Sequence, residues 1–240
     1  MEVIITKNYD EMSKKAAEVI KDVVKKNHSA VLGLATGTTP IGLYKELIAA
    51  CAKKEISFKN VKTVNLDEYV GLPKEHVQSY DYFMKDNLFN HIDIDIKNTN
   101  LPSGVAPDLD AECARYTALL GKMKQSVQLL GLGSNGHIGF NEPKTPFDST
   151  THIVNLTEST IKDNSRLFDD ISEVPTKAIT MGIANIMNAE KVLVVASGKN
   201  KAKAVYSMVK GPVTEDCPAS VLQRHPDVVV VVDEDAASLL

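Results

Sequence analysis

The 240-residue sequence has few cysteines, no long apolar run and no excess of positive charge, and each shortage excludes a class of protein. Its three cysteines, Cys51, Cys113 and Cys217, are odd in number, far apart and form no C-x-x-C pair. That argues against a disulfide framework or a zinc knuckle and makes a reducing cytoplasm the expected location. No apolar run approaches the roughly 18 residues needed to cross a membrane. The opening Met1-Glu2-Val3-Ile4-Ile5-Thr6 turns polar too quickly for a signal peptide, so the Asn-x-Ser/Thr triplets at Asn27 and Asn155 are read as chance. A net charge of −4 gives no general attraction to nucleic acid but leaves room for a local basic pocket that takes an anion. Internal repeats, low-complexity tracts and a convincing linker are also lacking.

What is present is short β-branched runs alternating with helical patterns. Strands are expected at residues 3–6, 30–35, 61–66, 127–132, 191–196 and 227–232, the last carrying five consecutive valines. Helices are expected at 9–26, 41–53, 79–90, 109–124 and 200–210. Residues 151–157 alternate polar and apolar and predict a short hairpin or edge strand, while 179–187 predict a helix or turn. Continuous apolar strands with helices between them indicate one α/β domain over 1–240, with a mostly parallel central sheet and helices on both faces. The stretch 140–175, polar and punctuated by Pro143, Pro146 and Pro175, is expected to form a lid.

Four segments carry candidate chemistry. At 131–143 a strand runs into Gly-Leu-Gly-Ser-Asn-Gly-His-Ile-Gly-Phe-Asn-Glu-Pro, where His137 is a proton carrier and Glu142 a group to orient its imidazole. At 36–40, Thr36-Gly37-Thr38-Thr39-Pro40 joins a strand to a helix whose N-terminus favours an anion. This is neither a Walker A loop nor G-x-G-x-x-G, so a monophosphate fits better than a nucleotide. At the end of the third strand stand Asp67 and Glu68, where a carboxylate meets a ligand bound at the carboxyl edge of a parallel sheet. Asp67 is the better base, and Glu68 is equally read as a structural partner. Arg166 and Lys201 complete the set as cations for a phosphate. No G-x-S-x-G elbow is present, and the other histidines are scattered without ligand spacing, so neither a serine nucleophile nor a metal is expected.

The motifs Asn65-Leu66-Asp67-Glu68-Tyr69-Val70-Gly71-Leu72-Pro73, Gly136-His137-Ile138-Gly139-Phe140-Asn141-Glu142-Pro143 and Leu222-Gln223-Arg224-His225-Pro226, with the 36–40 turn, resemble the glucosamine-6-phosphate deaminase (isomerase) family over nearly the whole chain. The resemblance implies a modified Rossmann-like three-layer sandwich and conversion of glucosamine 6-phosphate to fructose 6-phosphate and ammonia in amino-sugar catabolism, without metal or other cofactor. It implies that Asp67 moves a proton at C2, and that His137, oriented by Glu142, opens the pyranose ring. Thr36, Gly37, Thr38, Thr39, Arg166 and Lys201 would hold the phosphate. Many members carry an aspartate just before Gly-His where this chain has Asn135. An amide is no base, so the resemblance leaves Asn135 a hydrogen-bonding role in the site. Allosteric hexameric members have a longer C-terminal tail and basic residues near positions 152 and 154. The expectation here is a monomer or small homo-oligomer with hyperbolic kinetics, not activated by N-acetylglucosamine 6-phosphate. The expected partner is the small-molecule sugar phosphate, with no nucleic acid and no membrane. Two alternatives share the fold: a 6-phosphogluconolactonase and a non-catalytic sugar-phosphate sensor. A sensor of this kind needs a DNA-binding module, for which a first strand at Val3 leaves no room.

Overall fold

A computed structural model describes residues 1–157, 161, 168, 170 and 173–240. Its elements run β1 (Glu2–Thr6), α1 (Tyr9–Lys26), β2 (Val31–Leu34), α2 (Ile41–Ala52), β3 (Lys62–Asn65), β4 (Asp67–Tyr69), α3 (Tyr80–Asn87), β5 (Thr99–Asn100) and α4 (Leu109–Lys122). They continue with β6 (Val127–Gly131), β7 (His152–Asn155), β8 (Lys177–Thr180), α5 (Ile183–Met187), β9 (Val192–Ala196), α6 (Ala202–Lys210) and β10 (Val228–Asp233). Local chemistry explains the helix starts: Asn8 accepts the Glu11 N–H at 3.0 Å at the head of α1, and Asp108 accepts the Ala111 N–H at 2.9 Å at the head of α4. Along α1, Met12, Ala16, Ile20 and Val24 fall on one face and are wholly buried. Among the described residues, no helix is long and apolar enough to cross a membrane.

Seven strands pair in the order β1-β10-β9-β6-β2-β3-β5, every neighbouring pair parallel. All residues of β9 and β10 are buried, as a parallel sheet covered by helices requires. From β2 the chain steps outward to β3 and β5, whereas from β6 it steps the opposite way to β9 and β10. Strand order therefore reverses between β2 and β6. The turns leaving these two strands diverge and open a crevice at the carboxyl edge, the position where open α/β sheets bind ligands.

A second sheet, β4-β8-β7, is antiparallel and was only partly foreseen. Residues 151–157 supply its edge strand β7, one of the two expected outcomes. The helix or turn expected at 179–187 is corrected: Lys177–Thr180 is a strand, and the helix begins only at Ile183. Ala178 and Ile179 are wholly buried, and a short apolar run of this kind has no periodicity to separate strand from helix. A third of the stretch expected as a lid, between 158 and 172, lies outside the described residues. Its described part is tied down through Lys144 N–H to Glu215 O at 2.7 Å, Thr151 N–H to Thr117 Oγ1 at 3.2 Å and the β7–β8 ladder.

Candidate active site

The crevice between β2 and β6 is a cavity of about 310 Å³. Thr36–Thr39, Asp67, Tyr80, His137 and Lys201 all line it. Of the other sequence-predicted residues, Asn135 and Glu142 stand behind the lining in the loop that carries His137, and Arg166 lies outside the described residues.

On one wall is the turn after β2. Gly37 has φ of +94°, the left-handed conformation glycine adopts without strain. The N–H groups of Gly37, Thr38 and Thr39 meet no acceptor among the described residues. They lie just ahead of α2, whose first turn has no side-chain cap, so an anion there meets unfilled donors and the positive end of the helix dipole. The back of the turn rests on Tyr9 of α1. The Tyr9 hydroxyl sits 3.1 Å from both Thr38 O and Thr39 O and accepts the Gly42 N–H at 2.8 Å. Lys201 reaches the same cavity from the start of α6. Its loop is anchored by Asp233 at the end of β10, which accepts from Ser197 Oγ at 2.5 Å, the Gly198 N–H at 3.1 Å and the Ala236 N–H at 2.8 Å. Sequence reading missed Tyr9 and Asp233, because nothing local marks residues whose partners are some 30 positions away.

The opposite wall is the loop after β6. A Cβ on Gly133 would lie 2.4 Å from His137 Nδ1 and Cε1, and one on Gly136 would lie 2.6 Å from Cys217 Sγ. Glycine at these two positions lets the loop close over its histidine and pack on the 214–220 turn, where the Ala219 N–H reaches Gly136 O at 2.9 Å. Asn135 ties the loop together: its Oδ1 accepts the His137 N–H at 3.2 Å and its Nδ2 donates to Glu142 Oε2 at 2.7 Å. His137 Nδ1 stands 3.5 Å from the same Glu142 oxygen, an ion-pair distance that is too long for a formed hydrogen bond. The Asn135 amide, rather than the imidazole, is therefore hydrogen-bonded to this Glu142 oxygen. Further along, buried Asn141 donates to Ile138 O at 2.8 Å and Met181 O at 2.9 Å, and the Phe140 N–H reaches Thr180 Oγ1 at 3.1 Å. These bonds fasten the loop to the second sheet.

Asp67 lies on the floor. It is 6% exposed, and no hydrogen bond among the described residues reaches its carboxylate. A Cβ on Gly139 would sit 3.6 Å from Asp67 Oδ2, so the floor and the histidine loop touch. Burial, with the Glu68 charge next to it, pushes the Asp67 carboxyl up to about 8. Such a group is a proton acceptor poised near neutral pH. Glu68 points elsewhere. It is 3% exposed and accepts three backbone N–H groups, from Tyr69 at 2.8 Å, Tyr80 at 2.9 Å and Asp81 at 3.0 Å, the last two opening α3. Its expected structural role is what the geometry displays. Tyr80, not singled out from sequence, joins the cavity wall and stacks on Phe140 with ring centroids 6.2 Å apart.

The Leu222–Pro226 motif lies away from the cavity. Gln223 Nε2 donates to Met208 O and Gly211 O, closing the end of α6, and buried His225 lies 2.9 Å from Ala189 O through Nε2. Among the described residues, no group of three or more His, Cys, Asp or Glu is arranged to hold a metal ion.

Residues 6–231 match the family model described as glucosamine-6-phosphate isomerases/6-phosphogluconolactonase. A glucosamine-6-phosphate deaminase from Thermoanaerobacter pseudethanolicus is 53% identical, covering 100% of this chain and 95% of its own. Another from Clostridium perfringens is 54% identical over 100% of both chains. Among solved structures, a monomeric glucosamine-6-phosphate deaminase superposes with a TM-score of 0.97 at 47% identity over 100% of both chains. A 6-phosphogluconolactonase from Trypanosoma brucei reaches a TM-score of 0.77 at 19% identity over 100% of this chain and 98% of its own, a likeness of fold alone.

Proposed function

This chain belongs to the glucosamine-6-phosphate isomerase/6-phosphogluconolactonase family, and from that premise we propose that it converts glucosamine 6-phosphate and water to fructose 6-phosphate and ammonia. One observation carries the reading: a single cavity brings together an anion-ready turn, a cation, a buried carboxyl held near neutral pKa and a histidine. The turn at Thr36–Thr39 and Lys201, with Arg166 as the further cation, grip the phosphate and fix the sugar's register. His137, in the field of Glu142 and with its loop pinned by Asn135, takes the C1 hydroxyl proton as the ring oxygen is protonated, and the pyranose opens to the aldehyde. Asp67 then takes the proton from C2 while the C1 oxygen takes one from the C2 ammonium, giving a neutral enolamine. Return of the Asp67 proton to C1 yields the ketimine. Water adds to C2 of the ketimine, and loss of ammonia leaves the ketose.

Two carbon-bound proton transfers by one group require a base whose pKa lies near the working pH, and the depth of Asp67 supplies it. The substrate's own ammonium at C2 favours the ionised carboxylate at the moment of use. The enzyme acts as a single domain, monomeric or in a small homo-oligomer, in the cytoplasm, with the sugar phosphate as its partner and neither nucleic acid nor membrane.

Pure, metal-free protein is expected to release ammonia from glucosamine 6-phosphate with hyperbolic kinetics. Hydrolysis of 6-phosphogluconolactone without ammonia release, or binding of the amino-sugar phosphate with no turnover, would overturn the reading.

A further inference from the structure

Glu68 is a buried carboxylate with three N–H donors and, among the described residues, no cation bonded to it, one residue from the base of the proposed reaction. Consecutive residues of a strand point to opposite faces, so Asp67 looks into the cavity and Glu68 looks back at the start of α3. Two of the three N–H groups it holds belong to Tyr80 and Asp81, and Tyr80 lines the cavity. A surface glutamate would cap a helix equally well. A fully buried one, once ionised, places beside Asp67 a charge held by N–H groups and by no cation among the described residues, and in a low-dielectric interior that charge is felt strongly.

We propose that Glu68 is a positioning residue for the deamination: it fixes Tyr80 against the cavity, and its charge makes Asp67 a stronger base. The proposal rests on the function proposed above. The surroundings agree with it. On its own strand Glu68 faces no cation; Asp67 precedes it and Tyr69 follows it. From α3 come Tyr80 and Asp81, and the Asp81 carboxylate is paired with Lys85. Behind Glu68 a cavity of about 470 Å³ is also bordered by Lys74, Glu75 and Arg115, and the Arg115 guanidinium is engaged by Glu112 at 2.6 Å. From β8 the residue opposite is Ile179, which carries no charge. Burial pushes the Glu68 carboxyl up to about 7 against the pull of its three N–H donors, and once ionised its charge adds to the burial that raises Asp67 to about 8. Two carboxyls so close lose their protons in two steps that belong to the pair. Glu68, with its three donors, ionises first, and Asp67 follows at higher pH.

The test is the pH dependence of ammonia release in Glu68→Gln and Glu68→Asp, with thermal melts to establish folding. Glu68→Gln keeps the size but removes the charge. Its acid limb of kcat/KM is expected to move down by about one pH unit, with plateau kcat lowered roughly threefold by the weaker base. Glu68→Asp keeps the charge but shortens the reach, so it should lose kcat while its acid limb stays where the parent's is. An unmoved limb in Glu68→Gln, or equal limbs in the two variants, would overturn the proposal. So would loss of the folded state in both, which leaves only a structural cap. Absence of ammonia release by the unsubstituted protein would instead overturn the proposed function, so the two failures are distinguishable.

Discussion

The turn after β2 and the loop after β6 face each other across one cavity, yet they are held by different means. The turn offers backbone N–H groups and is backed by a single tyrosine hydroxyl, so most of its function resides in chain direction and helix geometry. The loop depends on particular side chains. Asn135, Asn141 and Thr180 each hold a stated atom, and two glycines are fixed by what lies against them. A wall built from backbone tolerates substitution, apart from proline and from any side chain at Gly37, because other residues still supply the N–H. A wall built from side chains does not. Substitutions in the two walls should therefore differ in kind, with binding weakened on one side and chemistry slowed on the other.

The largest effect is expected at the floor that both walls share. Asp67→Asn should lower kcat by about a thousandfold or more while sugar-phosphate binding persists, as removal of a general base does. Near-normal kcat would reassign the base. The same change should stabilise the fold. The folded state keeps this proton up to about pH 8, whereas an unfolded aspartate gives it up near pH 4. The native state therefore binds more protons between those values, and stability falls as pH rises through that window. The amide removes this penalty, so at pH 9 Asp67→Asn should melt roughly 2–8 °C above the parent. An unchanged or lower Tm would mean that Asp67 ionises in the folded state at its ordinary pKa.

On the loop side, His137→Gln should lower kcat about a hundredfold with little change in KM, and an open-chain substrate analogue should be affected less. Equal loss with both substrates would detach His137 from ring opening. On the turn side, Lys201→Ala should raise KM about tenfold with kcat nearly kept, the expected loss of one charge-assisted contact to phosphate. The smallest effect should be Tyr9→Phe, a roughly two- to fivefold rise in KM from one lost hydrogen bond behind the turn. If Tyr9→Phe slowed kcat as much as His137→Gln, the contrast between the walls would be broken.

Much of this was legible in the sequence for physical reasons. Five valines in a row have one stable environment, the interior of a parallel sheet, and β10 is that strand. Glycines around a histidine after an apolar strand mark a loop that must bend sharply, and the loop does so. What escaped was whatever depended on contacts between distant segments. Asp67 was expected at the end of the third strand, but it opens a separate strand, β4, paired with the unforeseen β8. Three residues, all buried and two of them carboxylates, carry too little pattern to announce a second sheet. Glu142 was expected to orient the imidazole, and its Oε2 stands 3.5 Å from His137 Nδ1. That Asn135 bonds both this oxygen and the His137 backbone N–H is a detail of side-chain direction that spacing does not encode. Arg224 and His225 belong to a motif as recognisable as the loop. Arg224 packs over the Phe147 ring at 5.8 Å and His225 bonds to backbone, so the motif secures the scaffold rather than the cavity.

The reversal of strand order between β2 and β6 has a consequence for how activity is acquired. The turn after β2 and the histidine loop belong to strands far apart in the chain, and they become neighbours only when β2 and β6 pair. Such non-local pairing is slow to form compared with helices, which assemble from near neighbours. A partly folded chain would then hold one wall without the other, and half of this cavity is no weaker version of the whole. Recovery of catalysis during refolding should lag the recovery of helical signal and report the moment at which the two halves of the sheet join.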